Sequence, residues 1–175
     1  IIYYCQTEKS AYNCAGKNIL VAIRRNPMLW DNYPEISRKL EKVEAIIQNN
    51  LKSRSKPFEE FLQTLATGGK RLRPAFTILS AGFGKEQSDK IYEAAAGIEI
   101  LHMATLVHDD IIDEADMRRG KPTANRLYGG KTSVYMGDYL LARAVLLLSK
   151  TLPEDRLEKV ARGLKSICEA EIEQF

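Results

Sequence analysis

The residues best suited to chemistry lie in one stretch, His108-Asp109-Asp110-Ile111-Ile112-Asp113, running on to Arg118-Arg119-Gly120-Lys121-Pro122. Five acids fall within eight positions (Asp109, Asp110, Asp113, Glu114 and Asp116), and five basic residues follow with no acid between them: Arg118, Arg119, Lys121, Arg126 and Lys131. A solvated helix face would mix the signs, because like charges in adjacent positions and one turn apart repel. Separate blocks suit a site that holds divalent cations and, through them, a polyanion. Asp at i, i+1 and i+4 presents two carboxylates one turn apart with a third beside them. Hard oxygen donors of that reach suit Mg²⁺, which tends to keep waters and to bridge to substrate phosphates.

A second block, Gly68-Gly69-Lys70-Arg71-Leu72-Arg73-Pro74, supplies further cations. Lys70 and Arg73 are three apart and share a helix face. The two glycines permit left-handed dihedrals and remove side chains that would crowd a nearby ligand. This is not a Walker A loop, since the rest of its Gly-rich run and the Lys-Ser/Thr end are absent; nor do the acids alternate as in an EF-hand loop. If the ligand is a diphosphate, its departure needs metal ions and cations to take up charge developing on oxygen. Lys70, Arg73, Arg118, Arg119 and Lys131 are available for that. No Ser/His/acid triad and no paired acid and base make hydrolysis the better expectation.

The elements that must position these groups are helical. After Pro34, apolar residues recur at Ile36, Leu40, Val43, Ile47 and Leu51, close to a 3.6 period. The stretch Ser53 to Pro57 closes that helix. A short second helix carries Phe58, Phe61, Leu62 and Leu65, and Gly68-Gly69 end it. A third opens at Lys70 to Pro74. Residues 88–113 read as one long helix with Ile91, Ala94, Ala95, Ile98, Leu101, Thr105 and Ile112 as apolar contacts. At about 100° per residue, His102, Asp109 and Asp113 fall within about 40° of one another, with Asp110 to one side. Gly120 to Gly130 is a connection holding a short helix over 123–128. Residues 131–150 form another long helix, using Val134, Leu140, Leu141, Ala144, Val145 and Leu148. A last helix begins near Thr151 or Pro153 and carries Leu157, Val160, Leu164, Ile167 and Ile172. Strand-like alternation is absent, so the expected class is all-α, a bundle rather than a solenoid.

Composition narrows the function classes. A chain of 175 residues, 45% hydrophobic, supports one domain with a real core. A formal charge of +3, spread in short basic blocks, is too mild for nucleic acid. Cys5, Cys14 and Cys168 make neither a disulfide framework nor a zinc pattern, which suggests a reducing, cytoplasmic setting. Cys168 reads as a small buried helix residue, and Tyr135 and Tyr139 as packing. No apolar run approaches the roughly 20 residues that span a bilayer, and no export leader is evident; transient contact with a membrane surface stays open. Residues 1–32 read as a variable N-terminal extension, and 33–175 as the domain.

Four blocks in order resemble the trans-isoprenyl (polyprenyl) diphosphate synthases: Gly68 to Pro74 as the basic motif, His102 upstream of the acids, Asp109 to Asp113 as the first aspartate-rich motif, and Arg118-Arg119-Gly120 after it. Asp138-Tyr139-Leu140 and Glu171 to Gln174 are similar to later family helices. The resemblance spans about 33–175 and implies an isoprenoid-synthase helical bundle. It also implies a transferase in which an allylic diphosphate ionises under Mg²⁺ assistance, isopentenyl diphosphate attacks, and a proton is lost. By carry-over, Asp109, Asp110 and Asp113 bind metal and, with Arg118, the allylic diphosphate as the catalytic set. Lys70, Arg73, His102 and Arg119 hold isopentenyl diphosphate. Ala104, a small residue five positions before Asp109, implies a medium- or long-chain product, of the heptaprenyl type. The second aspartate-rich motif of the family is absent, so the expectation is an incomplete bundle whose C-terminal helices are missing: a fragment, a truncated product or half of a split enzyme. A homodimer, or a hetero-oligomer with a second subunit, follows from that. Two other readings are a non-catalytic prenyltransferase subunit and a terpene cyclase-like lyase; the basic and His102 motifs disfavour the latter.

Overall fold

A computed structural model describes residues 29–84 and 88–173, together with the paired backbone segments β1 (Asn13–Cys14) and β2 (Lys17–Asn18). Most of the expected extension 1–32, and residues 174–175, therefore lie outside the described residues. Seven helices are described: α1 (Pro34–Asn50), α2 (Lys56–Ala66), α3 (Leu72–Ala81), α4 (Lys90–Ile112), α5 (Ala124–Tyr128), α6 (Gly130–Thr151) and α7 (Glu154–Ile172). The two-residue strands β3 (Met117–Arg118) and β4 (Lys121–Pro122) join α4 to α5. The fold is the expected all-α bundle.

Why these segments are helices is visible at their ends. Proline opens α1 and stands in the first turn of α2, where its missing N–H costs nothing. Thr123 caps α5 by accepting the Arg126 amide on its Oγ1 at 3.1 Å. Pro153 precedes α7 and offers no side-chain cap.

The centre of the bundle is α4. Its buried residues run Ala94, Ala95, Ala96, Gly97, Glu99, Ile100, Met103, Ala104, Val107 and Asp110, which occupy most of its circumference. A helix buried on several sides needs small residues where neighbours cross. At Gly97 an added Cβ would lie 2.8 Å from Leu148 Cδ2 of α6, so the two helices approach at a point with no room for alanine. Leu40, Val43 and Ile47 bring α1 onto the core, with Phe61 and Leu62 of α2, Ala75 and Ile78 of α3, and Leu140, Ala144 and Leu147 of α6. Fully burying each large aliphatic, such as Ile47, Leu62, Ile100 or Leu140, contributes about 1.5–3 kcal/mol.

Four expectations are corrected. Ile112 is exposed, because α4 ends there and its last turn has no neighbour on that side. Val134 and Val145 face outward on α6, where Met136 and Leu147 take the core positions. Cys168 is exposed, since α7 rests on the bundle only through the half-buried Leu157, Val160 and Leu164 and has no buried residue. The connection after α4 contains the β3–β4 hairpin, which alternation could not reveal because each strand is only two residues long.

Candidate active site

The basic block forms a bend between α2 and α3. Gly68 and Gly69 have φ of 88° and 86°, and Arg71 is left-handed at 50°. Positive φ is uncommon for a residue with a side chain and concentrates at functional sites. Lys70 is exposed, and its carbonyl accepts the Trp30 indole N–H at 2.6 Å. Arg73, also exposed, lies in the first turn of α3.

The hairpin after α4 carries the second basic pair. Register pairs Met117 with Pro122 and Arg118 with Lys121, leaving Arg119 and Gly120 as the turn at φ of 51° and 75°. Two successive positive φ values are what a tight hairpin needs to match strand twist, and a glycine in the second place makes it affordable. Thr123 ties the hairpin down: its Oγ1 donates to the Ala115 carbonyl at 2.6 Å, and its amide to Asp116 at 3.0 Å. An Arg-Gly dipeptide flanked by turn residues is the sequence signal that could have found this hairpin.

The two bends meet. A Cβ added at Gly69 would lie 3.1 Å from Arg119 Nη1, so the glycine leaves space that the guanidinium occupies. Gly68, by contrast, has nothing within 4 Å of such an atom. The expected function of the glycine pair, clearing room for a ligand, therefore becomes at Gly69 clearing room for the Arg119 guanidinium.

His102 stands where these groups converge. Burial pushes its imidazole below the ordinary value of 6.5, Arg73 and Arg119 push the same way, and Glu99 and Asp109 oppose them. Four of the residues singled out from sequence thus share one electrostatic neighbourhood. The folded state holds the proton on His102 less well than the unfolded chain, so stability falls as pH drops through the unfolded value. Thermal melts between about pH 7.5 and 5.5 should show that loss, and His102→Gln should flatten it.

The acids divide. Asp109 and Asp113 are exposed, whereas Asp110 is buried and accepts Arg118 Nε on Oδ1 at 2.7 Å. Among the described residues no three of His, Cys, Asp and Glu converge as a metal cage. Mg²⁺ commonly takes only one or two carboxylates and completes its shell with water and substrate phosphate. The exposed pair Asp109 and Asp113, one turn apart, fits that mode. Asp110 in this arrangement belongs to Arg118. Ala104 is buried in the core beneath this end of α4, and Lys131 is exposed at the start of α6.

Sequence reasoning missed two groups. Arg71, between the two selected cations, turns inward instead of toward them. His108 reaches α6, its Nε2 lying 3.3 Å from Asp138 Oδ1. It passes over Gly137, where an added Cβ would lie 2.2 Å from the same nitrogen. Gly137→Ala should expel the ring and lower stability by about 1–3 kcal/mol. Truncating His108 as well should restore much of it, measured as non-additivity in denaturant unfolding.

The sequence matches the family described as Polyprenyl synthetase over residues 55–175. Heptaprenyl diphosphate synthase component 2 of Geobacillus stearothermophilus is 37% identical over 144 residues, covering 82% of this chain and 45% of that one. Nonaprenyl diphosphate synthase of Mycobacterium tuberculosis is 41% identical over 115 residues, covering 65% and 34%. Among solved structures, heptaprenyl diphosphate synthase from Staphylococcus aureus aligns with a TM-score of 0.75 at 36% identity, covering 79% of this chain and 45% of that one. This chain therefore spans less than half the length of these relatives. No helix among the described residues is long and apolar enough to cross a membrane. By sequence and by fold, the chain belongs to the polyprenyl synthetase family.

Proposed function

We propose that this chain carries part or all of a Mg²⁺-dependent prenyl transfer, the condensation of isopentenyl diphosphate with an allylic diphosphate to give a trans-polyprenyl diphosphate. The observation that supports it is the meeting of the two basic bends, where a Cβ added at Gly69 would lie 3.1 Å from Arg119 Nη1, near enough to His102 that Arg73, Arg119 and Asp109 of the acidic face all act on its charge. Groups suited to an anion stand against groups suited to a cation, as two diphosphates require. Lys70, Arg73, His102 and Arg119 hold isopentenyl diphosphate. Asp109 and Asp113 hold Mg²⁺ on the allylic side, and Asp110 keeps Arg118 beside them. Bound there, Mg²⁺ supplies positive charge to the leaving diphosphate. The allylic C–O bond breaks, the double bond of isopentenyl diphosphate attacks the allylic carbon, and a proton departs; the chain itself needs no nucleophile. Residues 33–175 belong to the synthase domain, with 1–32 a variable extension.

The test is incorporation of labelled isopentenyl diphosphate into extractable polyprenyl product by the 175-residue chain, with Mg²⁺ and with chelator. Product that appears with Mg²⁺ and not with chelator would place the whole transfer in this chain; failure to bind either diphosphate would contradict the reading. The product is expected to be medium- or long-chain, and Ala104→Phe should shorten its distribution on chromatography.

Two relatives bear the name heptaprenyl diphosphate synthase component 2, which favours a second reading: action together with another subunit. Product formed only when a second polyprenyl synthetase chain is added would select it, whereas product from a homodimer would select the first.

A further inference from the structure

Arg71 is flanked by the exposed Lys70 and followed two positions later by the exposed Arg73, yet its own side chain is only 14% exposed. Its guanidinium gathers three helices. Nε donates to Glu44 Oε2 of α1 at 2.9 Å, and Nη2 lies 2.7 Å from the same oxygen in an ion pair. Nη1 donates to Glu99 Oε1 of α4 at 3.0 Å, and Nη2 also donates to the Ala66 carbonyl at the end of α2. Glu99 is itself buried and lies one turn before His102. The Ala66 carbonyl is among those a helix end leaves without an internal partner. All of this is achieved with Arg71 in the left-handed region, which turns its side chain inward from the path of Lys70 and Arg73.

We infer that Arg71 is a positioning residue for the diphosphate site: it fixes the bend so that Lys70 and Arg73 present their charges beside His102 and Arg119. The Trp30 hydrogen bond to the Lys70 carbonyl is the second anchor of the same bend. This rests on the proposed isopentenyl diphosphate site. A planar fork with five donors reaches three acceptors on three helices; a lysine ammonium keeps the charge and loses the fork. A guanidinium spent this way brings no charge to the ligand, so its effect must pass through its neighbours.

The experiment is calorimetric titration of isopentenyl diphosphate into the full chain and into Arg71→Lys, Trp30→Phe and Arg143→Lys. Arg143 is the matched control, another inter-helix arginine, donating Nε to the Asn50 carbonyl at 2.9 Å and Nη2 to Asn50 Oδ1 at 3.1 Å. Arg71→Lys should weaken binding about tenfold, equivalent to about 1.4 kcal/mol. Trp30→Phe should weaken it about threefold, on the scale of one hydrogen bond. Arg143→Lys should lower the melting temperature and leave affinity within about twofold, since it lies in a separate contact. Equal affinity in Arg71→Lys and the parent chain, or an equal loss in Arg143→Lys, overturns the inference alone. Should Arg71→Lys fail to fold, Trp30→Phe decides: unchanged affinity overturns the inference. A parent chain that binds no isopentenyl diphosphate overturns the functional reading and this inference together.

Discussion

Arg118→Ala should destabilise the chain by about 3 kcal/mol, seen as a drop of about 6–10 °C in a thermal melt. The side chain of Asp110 is 3% exposed, and the Arg118 guanidinium is the cation that pairs with it at 2.7 Å. Removing that cation strands a carboxylate inside the bundle, which is the expensive way to break a buried pair. Asp110→Ala should cost about half as much, because Arg118 is 31% exposed on its side chain and can turn to water. The double variant should be more stable than Arg118→Ala alone, since no buried charge is left. Equal effects of the two single changes would show that the pair is solvated in solution. The contact also tethers the hairpin to α4, so Arg118→Ala should loosen the turn that carries Arg119.

Asp109→Asn and Asp113→Asn should behave in the opposite way. Both residues are exposed, and among the described residues no side-chain hydrogen bond or ion pair engages either carboxylate, so stability should stay within about 0.5 kcal/mol. Condensation should fall by about 10²–10³-fold, the usual cost of removing one group that stabilises charge in the transition state. Steady-state product formation read beside a melt separates the cases: activity lost with the fold intact for these two, stability lost for Asp110. A stability loss at Asp109 or Asp113 would mean that they too have a structural duty.

How much of this was legible in sequence depended on the physics that set each feature. The apolar period of Leu40, Val43 and Ile47 placed α1 because one buried face leaves a one-sided pattern. On α4 the pattern is weaker: a helix buried nearly all round has no outer face to alternate with, so the expected contact Leu101 packs at the core's margin while Ile100, Met103 and Ala104 lie at its centre. The helical wheel correctly set Asp110 apart from Asp109 and Asp113, but its partner lies across a hairpin that spacing alone did not reveal. Arg71 was passed over because sequence shows charge and not direction; its left-handed backbone sends it inward between two neighbours that point out. Cys168 is exposed although α7 has the amphipathic pattern of a packed helix, because α7 packs so lightly that none of its residues is buried. The grouping of Lys70, Arg73, His102, Arg119 and the acids came from family resemblance. In the structure Arg73, Arg119 and Asp109 all act on the charge of His102.

The most direct measurement is calorimetric binding of a non-ionising allylic thiolodiphosphate to the full chain, with Mg²⁺ and with chelator, repeated on the Asp109→Asn/Asp113→Asn double variant. Tight binding is expected only with Mg²⁺, with a loss of about a hundredfold in the double variant, about 2.7 kcal/mol. Equal affinity with and without the metal, or an unchanged affinity when both exposed aspartates are neutralised, would contradict the proposed Mg²⁺ site.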